Sequence, residues 1–192
     1  QVLKRPEWAL KTLINGQPSF EVLKPYMPKS LNLKQLAKFM DSTFSGRLNE
    51  EKIKKLRDSW KGKLVIKGTE SIDDIEKAYK LGVDGVIISN HGGRQVDVGQ
   101  ATVDSLKTIA PIYKGKLKIM MDSGIRGGAD VARVLGVGAD FTFLGRSFMY
   151  GVSALGSKGG THTISVIKKQ LKQIMEQLGC SKIEDFVDTR IY

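Results

Sequence analysis

Cysteine is nearly absent. Cys180 is the single one in 192 residues, so no disulfide can close within the chain and a zinc site built on thiolates is excluded. No apolar run approaches the ~20 residues that cross a bilayer. The opening QVLKRPEWAL also lacks the apolar stretch of a secretory leader. A soluble, cytoplasmic chain is expected. Acidic side chains are scarce in one part only: residues 1–67 hold 15 Lys or Arg against 6 Asp or Glu, whereas residues 68–192 hold 16 against 14. The net charge of +11 therefore belongs mostly to the first third. Such a surface suits anionic lipid or an acidic partner, but its lysines are dispersed rather than clustered with aromatics, and nucleic acid is not the expected partner.

The 41% hydrophobic content suffices for one core, in one domain or part of one. From residue 62 onward, short β-rich runs alternate with helical patterns four times. Leu64–Ile66 is followed by Ser71-Ile72-Asp73-Asp74, a capping-box pattern, then Ile75, Ala78 and Tyr79, and Gly82 as a stop. Val86–Ile88 leads through a glycine-rich loop to a helix from Thr102 that Pro111 is expected to close. Leu117–Met121 precedes a helix over 129–135, and Phe141–Leu144 is the fourth strand. Strands this continuously apolar predict burial on both faces, as in parallel sheets. Ile164, Ile167, Leu171, Ile174, Met175 and Leu178 predict the inward stripe of a last long helix ended by Gly179. Residues 1–61 read as helices over 6–14, 33–39 and 50–60 around a variable loop broken by Pro18, Pro25, Pro28 and Gly46, with Trp8 and Trp60 as helix anchors. The fold class is α/β, the C-terminal half of a (β/α)8 barrel. A whole barrel takes eight strands and about 250 residues, so four units leave open sheet edges and call for a partner half, from the same natural protein, a separate chain or a second copy.

Three loops carry chemistry, each directly after a strand. In Ser89-Asn90-His91-Gly92-Gly93-Arg94-Gln95, a base and a cation stand three residues apart on a glycine-flexed loop. His91 can take a proton near neutral pH, and Arg94 can clamp a carboxylate bidentately. Together they suit an anionic hydroxy acid. Asp122-Ser123-Gly124-Ile125-Arg126-Gly127-Gly128 and Leu144-Gly145-Arg146 read as a phosphate cradle of exposed backbone N–H groups, a helix N-terminus and two arginines. Lys67, ending the first strand, would place an ammonium in the same mouth, suited to stabilising an anionic reduced ring. His162 and Cys180 read as structural.

Lys67-Gly68, SNHGGRQ, DSGIRGG and LGR, in this order and spacing, resemble the FMN-dependent 2-hydroxy acid oxidases and dehydrogenases. The similarity extends from RPEW through SWKGKLVIKG to GCSKIEDF, with the lysine-rich loop region poorly matched. It implies FMN as cofactor, with Lys67 and Ser89 contacting the flavin, His91 as catalytic base and Arg94 on the substrate carboxylate. It also implies that Asp122, Ser123, Gly124, Ile125, Arg126, Gly145 and Arg146 hold FMN, chiefly its phosphate and ribityl chain. Ser123 stands where many relatives have glycine, and its hydroxyl could donate to the cofactor.

The family's first four βα units bring further flavin contacts, substrate-facing tyrosines, a second arginine and an aspartate that orients the histidine. None of these is located here, so the chain alone is expected to be incomplete for activity. The expected reaction is oxidation of a small L-2-hydroxy acid to the 2-oxo acid. Lactate is preferred by similarity to bacterial lactate dehydrogenases, the acceptor being oxygen, a quinone or a cytochrome. The resemblance implies a homo-oligomer once the barrel is complete. The basic region around 24–63 suits a redox partner or peripheral contact with the inner membrane. Two rivals stand beside this reading. One is a non-catalytic, self-assembling half-barrel that keeps phosphate binding. The other is a phosphate-binding barrel of the inosine monophosphate dehydrogenase or isopentenyl isomerase type, which shares the Asp-x-Gly-Ile-Arg pattern but lacks the SNHGGR loop.

Overall fold

The computed structural model describes residues 6–16, 20–28, 31–43 and 48–189. The chain clusters into two units, Gln1–Arg47 and Leu48–Tyr192. The first contains helices α1 (Pro6–Asn15) and α2 (Leu33–Thr43), with a 3-10 turn over Glu21–Tyr26. Pro18 and Gly46, read as breaks between these helices, lie outside the described residues, as does Arg5. Trp8 does not serve as a buried anchor; it is 60% exposed.

The second unit opens with α3 (Glu50–Ser59), capped by Asn49, whose side chain accepts from Lys52 N at 3.0 Å. Four parallel strands follow in spatial order 1-2-3-4: β1 (Val65–Lys67), β2 (Gly85–Ile88), β3 (Lys118–Met121) and β4 (Phe141–Thr142). Their crossovers are α4 (Ile72–Lys80), α5 (Thr102–Tyr113) and α6 (Gly128–Val137), and α7 (Arg146–Leu155) and α8 (Gly159–Leu178) complete the unit. Ser71 caps α4 by accepting from Asp74 N at 3.1 Å. Pro111 does not close α5, which runs on to Tyr113. A proline in the last turn forfeits only its own N–H, so the residues beyond it can still bond back into the helix. Gly179 closes α8 in the left-handed conformation. The short helix α7 and the 3-10 turn at Ile183–Asp188, which buries Phe186 completely, are not among the elements expected from the sequence.

The register aligns Ile66, Val86 and Ile119 across the first three strands. These residues, with Ile88 and Met121, meet Ile75 of α4, Leu106 and Ile109 of α5, and Val131 and Val134 of α6 in one core. The expectation of burial on both sheet faces is corrected. Helices cover one face only, and β1 alternates exposed, buried, exposed, so Val65 and Phe141 remain open on the other. In α8 the inward stripe is Ile167, Leu171, Ile174 and Met175, while Ile164 and Leu178 at its two ends stay exposed. Trp60 is also exposed, and its indole N–H donates to Lys63 O at 3.0 Å. The sheet is one side of a barrel, with its strand carboxyl ends along one rim.

Candidate active site at the carboxyl ends of the strands

The strand tips carry the loops singled out in sequence. A parallel sheet sends every βα loop to the same rim, which is why residues 22 to 55 apart in sequence converge there. An open cleft of about 240 Å³ is lined by His91, Arg94, Asp122, Ser123, Gly124, Ile125, Arg126, Gly145 and Arg146. An adjoining cleft of about 540 Å³ holds Lys67 and Ser89 and shares His91. His91 therefore stands where the two meet. Ile125 is 3% exposed, so its side chain belongs to the core and only its backbone can serve the cleft.

His91 has φ 55°, uncommon for a residue with a Cβ. The loop holds it there. Its own N–H donates to Ser89 Oγ at 3.2 Å, and the N–H of Gly92 donates to Asn90 Oδ1 at 3.0 Å and to Ser123 Oγ at 3.1 Å. The Gln95 amide nitrogen lies 3.1 Å from His91 Nδ1. Gly92 permits a close approach as well as a positive φ, because a Cβ there would lie 3.3 Å from Nη2 of Arg146.

Lys67 donates to Ser89 Oγ at 2.8 Å and pairs with the Asp122 carboxylate. Burial pushes the Asp122 carboxyl up, but hydrogen bonds from Lys67, Ser89 and Ser123, with the lysine's charge, outweigh it and hold the group below the ordinary aspartate range. Sequence reasoning missed Gln95, Asn90 and Glu70 as parts of this rim. Asn90 had a usable signal: Asx side chains ahead of a Gly pair bond the amides two and three residues on. Glu70 lines the larger cleft; Oε1 is buried without a partner, and burial raises its carboxyl pKa. Phe143 and Met149 line the smaller cleft but offer no chemical signature.

The rim fits a phosphorylated ligand at one end in particular. The first amides of α6 are turned inward: Arg126 N and Gly127 N donate to Asp130 Oδ2 at 2.9 and 3.3 Å, and Gly128 N to Gln170 at 2.8 Å. The amino end of α7 has no side-chain cap, and a Cβ on Gly145 would meet nothing within 4 Å. Among the described residues, no carboxylate pairs with Arg94, Arg126 or Arg146. Open helix amides with two unneutralised guanidinium groups have the chemistry to receive an anion.

The profile of a family described as FMN-dependent dehydrogenase matches residues 1–192. An L-lactate dehydrogenase of Vibrio parahaemolyticus is 37% identical over 186 residues, covering 96% of this chain and 49% of that protein. One from Pectobacterium atrosepticum is 34% identical, with 96% and 48% covered. Among solved structures, the monotopic membrane protein (S)-mandelate dehydrogenase superposes with a TM-score of 0.85 at 31% identity, over 94% of this chain and 48% of that one. Mandelate oxidase with benzoyl-formic acid gives 0.70 at 27% identity, over 72% and 42%. The chain spans about half the length of the curated relatives it matches.

Proposed function

The chain belongs to the FMN-dependent dehydrogenase family, and we propose that it supplies the base, one substrate clamp and the phosphate cradle of an enzyme oxidising a small L-2-hydroxy acid, lactate by preference, to the 2-oxo acid. One observation carries this reading: His91, Arg94, Arg126 and Arg146 line a single cleft at the strand ends. Arg94 binds the substrate carboxylate in bidentate fashion and so fixes the adjacent carbon relative to His91. Gln95 occupies the Nδ1 side of the imidazole. A half-turn of that amide exchanges its nitrogen for its oxygen; with the oxygen toward Nδ1–H, Nε2 keeps a free lone pair and accepts the substrate's hydroxyl proton. FMN, when bound, would accept the hydrogen of that carbon with its electron pair as the hydroxyl becomes a carbonyl. Arg126, Arg146, Gly145 and the backbone of Ser123 to Ile125 would hold its phosphate end, Asp122 and Ser89 would brace the rim beneath it, and the Lys67 ammonium would face the ring.

The uncovered sheet face asks for the other half of the barrel. Phe141 and Phe143 stack edge to face at 5.1 Å on that side and are 56% and 41% exposed. A second four-stranded half, from the same natural protein or a partner chain, would cover them, and the complete barrels would assemble as a homo-oligomer. The excess of Lys and Arg over residues 1–67 and the similarity to a monotopic membrane enzyme support peripheral contact with an anionic membrane. Among the described residues no helix is long and apolar enough to cross one.

His91→Gln tests the assignment. The variant is expected to bind FMN as the wild type does, read by quenching of flavin fluorescence, and to lose bleaching of the flavin by L-lactate. Retained bleaching would remove His91 from its role. A wild-type protein, assembled with its other half, that binds FMN and is bleached by no 2-hydroxy acid would favour the non-catalytic half-barrel instead.

A further inference from the structure

A closed ring of polar contacts joins the tips of β1, β2 and β3. Lys67 donates to Ser89 Oγ (2.8 Å) and pairs with Asp122, Asp122 Oδ1 accepts from Ser123 Oγ (2.9 Å), Ser123 Oγ accepts from Gly92 N (3.1 Å), and His91 N returns to Ser89 Oγ (3.2 Å). Two serine hydroxyls thus take the amides on either side of the His91 Cα. One fixes the peptide before it and the other the peptide after it.

Ser123 is the unexpected member. It holds φ 74°, a conformation that glycine adopts freely and an L residue does not. A strained side-chain-bearing residue persists where its surroundings over-determine it. The surroundings here are specific. An ionised carboxylate can only accept, so the Ser123 O–H is committed to Asp122, which leaves an oxygen lone pair facing Gly92 N–H. The hydroxyl is therefore spent within the protein rather than offered to a ligand.

We propose that Ser123 is a positioning residue for the catalytic loop: its Oγ, oriented by Asp122, fixes the peptide between His91 and Gly92 and with it the left-handed backbone from which the imidazole projects. The catalytic consequence rests on the reading of His91 as the base; the backbone effect does not. Through the same ring, the Lys67–Asp122 pair on the flavin side is mechanically tied to the base.

The test compares the full chain with Ser123→Gly, Ser123→Ala and Ser123→Thr by amide hydrogen exchange and urea unfolding. Glycine removes Oγ and relaxes φ, alanine removes Oγ and keeps the strain, and threonine keeps a hydroxyl. Because Asn90 Oδ1 remains as a second acceptor for Gly92 N, exchange at Gly92 should rise about fivefold in S123G and S123A and stay within about twofold of wild type in S123T. The urea midpoint of S123G should stay close to wild type, so lost protection at Gly92 would not reflect global unfolding. Unchanged protection in S123G overturns the proposal, as does a loss confined to S123A, which would trace to strain alone. In the flavin-loaded protein assembled with its other half, S123G should lower kcat about tenfold with KM for L-lactate unchanged, since Arg94 is untouched. Wild-type kcat in S123G would overturn the catalytic consequence. A wild-type protein that never binds flavin would sink the proposed function and leave the Gly92 result standing.

Discussion

Lys67 and Asp122 are ion-paired across the ends of β1 and β3, with all of β2 between them. The contact needs both strands to end at the same height, which the parallel register provides. It also sets the charge state of the rim. The Asp122 carboxyl is held below its ordinary range in the folded protein, so its contribution to stability is present above the unfolded aspartate pKa and is lost as pH falls through the lower folded value. Lys67→Met removes the main neutralising partner and leaves burial opposed only by the hydroxyls of Ser89 and Ser123. We expect the Asp122 titration, followed by carboxyl carbon shifts, to move upward in K67M, and the acid side of the pH–stability curve to move upward with it. A carboxyl that titrates unchanged in K67M would show that the serines alone hold it.

Asp84 pins the entry to the sheet. It accepts from Lys63 Nζ at 2.7 Å, from Leu64 N at 2.9 Å and from Arg57 Nη1 at 3.1 Å. Arg57 in turn donates to Gly62 O at 2.7 Å and to Trp60 O, tying the end of α3 to the start of β1. The Lys63 hydrogen bond, aided by Leu64 N, lowers the Asp84 pKa to about 2. Its stabilising effect is complete above the ordinary aspartate range and disappears as pH falls through about 2. Asp84→Asn should melt a few degrees lower at neutral pH and converge on the wild type in strong acid. Parallel melting curves across the whole acid range would contradict this.

Two glycines let α7 and α8 cross with their backbones in contact. A Cβ at Gly159 would run into the carbonyl of Gly151 and into Val152 N, and a Cβ at Gly151 would meet Thr163 Oγ1. All of these are backbone or fully packed atoms that cannot swing aside. Gly159→Ala should therefore cost about 1–3 kcal/mol, as overpacking does in other cores, and lower the urea midpoint. Because α7 starts at Arg146, the same substitution should also weaken flavin mononucleotide binding. Gly160→Ala is the control, since a Cβ there meets nothing within 4 Å. Equal losses from both would rule out the crossing as the cause, since alanine's higher helix propensity favours both substitutions.

How much of this was legible in sequence follows from range. Local signals were sufficient for Ser71 capping α4, for Gly179 stopping α8 and for the four strands, because capping chemistry and apolar runs act within a few residues. The loops after the strands could be read as site-bearing because parallel topology brings every such loop to one rim. Pro111 misled because its cost depends on how many turns follow it, and here less than one does. Burial on both sheet faces was over-read from Val, Ile and Met content: whether a face is covered depends on a second layer, which no local pattern encodes. The ring through Ser123 was illegible for the same reason, since its members stand at positions 67, 89, 91, 92, 122 and 123 and meet only after three strands have paired.

The arginines at the far end of the cleft should separate the phosphate of the cofactor from its ring. Arg146 is half-buried against Gly92, opens α7 and has no carboxylate partner among the described residues, so its charge is available to an anion. Arg126 lines the same cleft from the loop after β3. A charge-assisted hydrogen bond contributes about 1.5–3 kcal/mol, so Arg146→Ala should weaken FMN binding by about 10- to 100-fold. Riboflavin, which has the ring and ribityl chain but no phosphate, should bind the variant and the wild type equally. Arg126→Ala should behave alike with a smaller effect, because its side chain is exposed and its charge is screened more strongly by salt. Isothermal titration with both flavins at two salt concentrations reads all four terms. Equal losses for FMN and riboflavin in R146A would mean that Arg146 shapes the cleft through its packing on Gly92 rather than through its charge, and Gly92→Ala would then be expected to reproduce the loss.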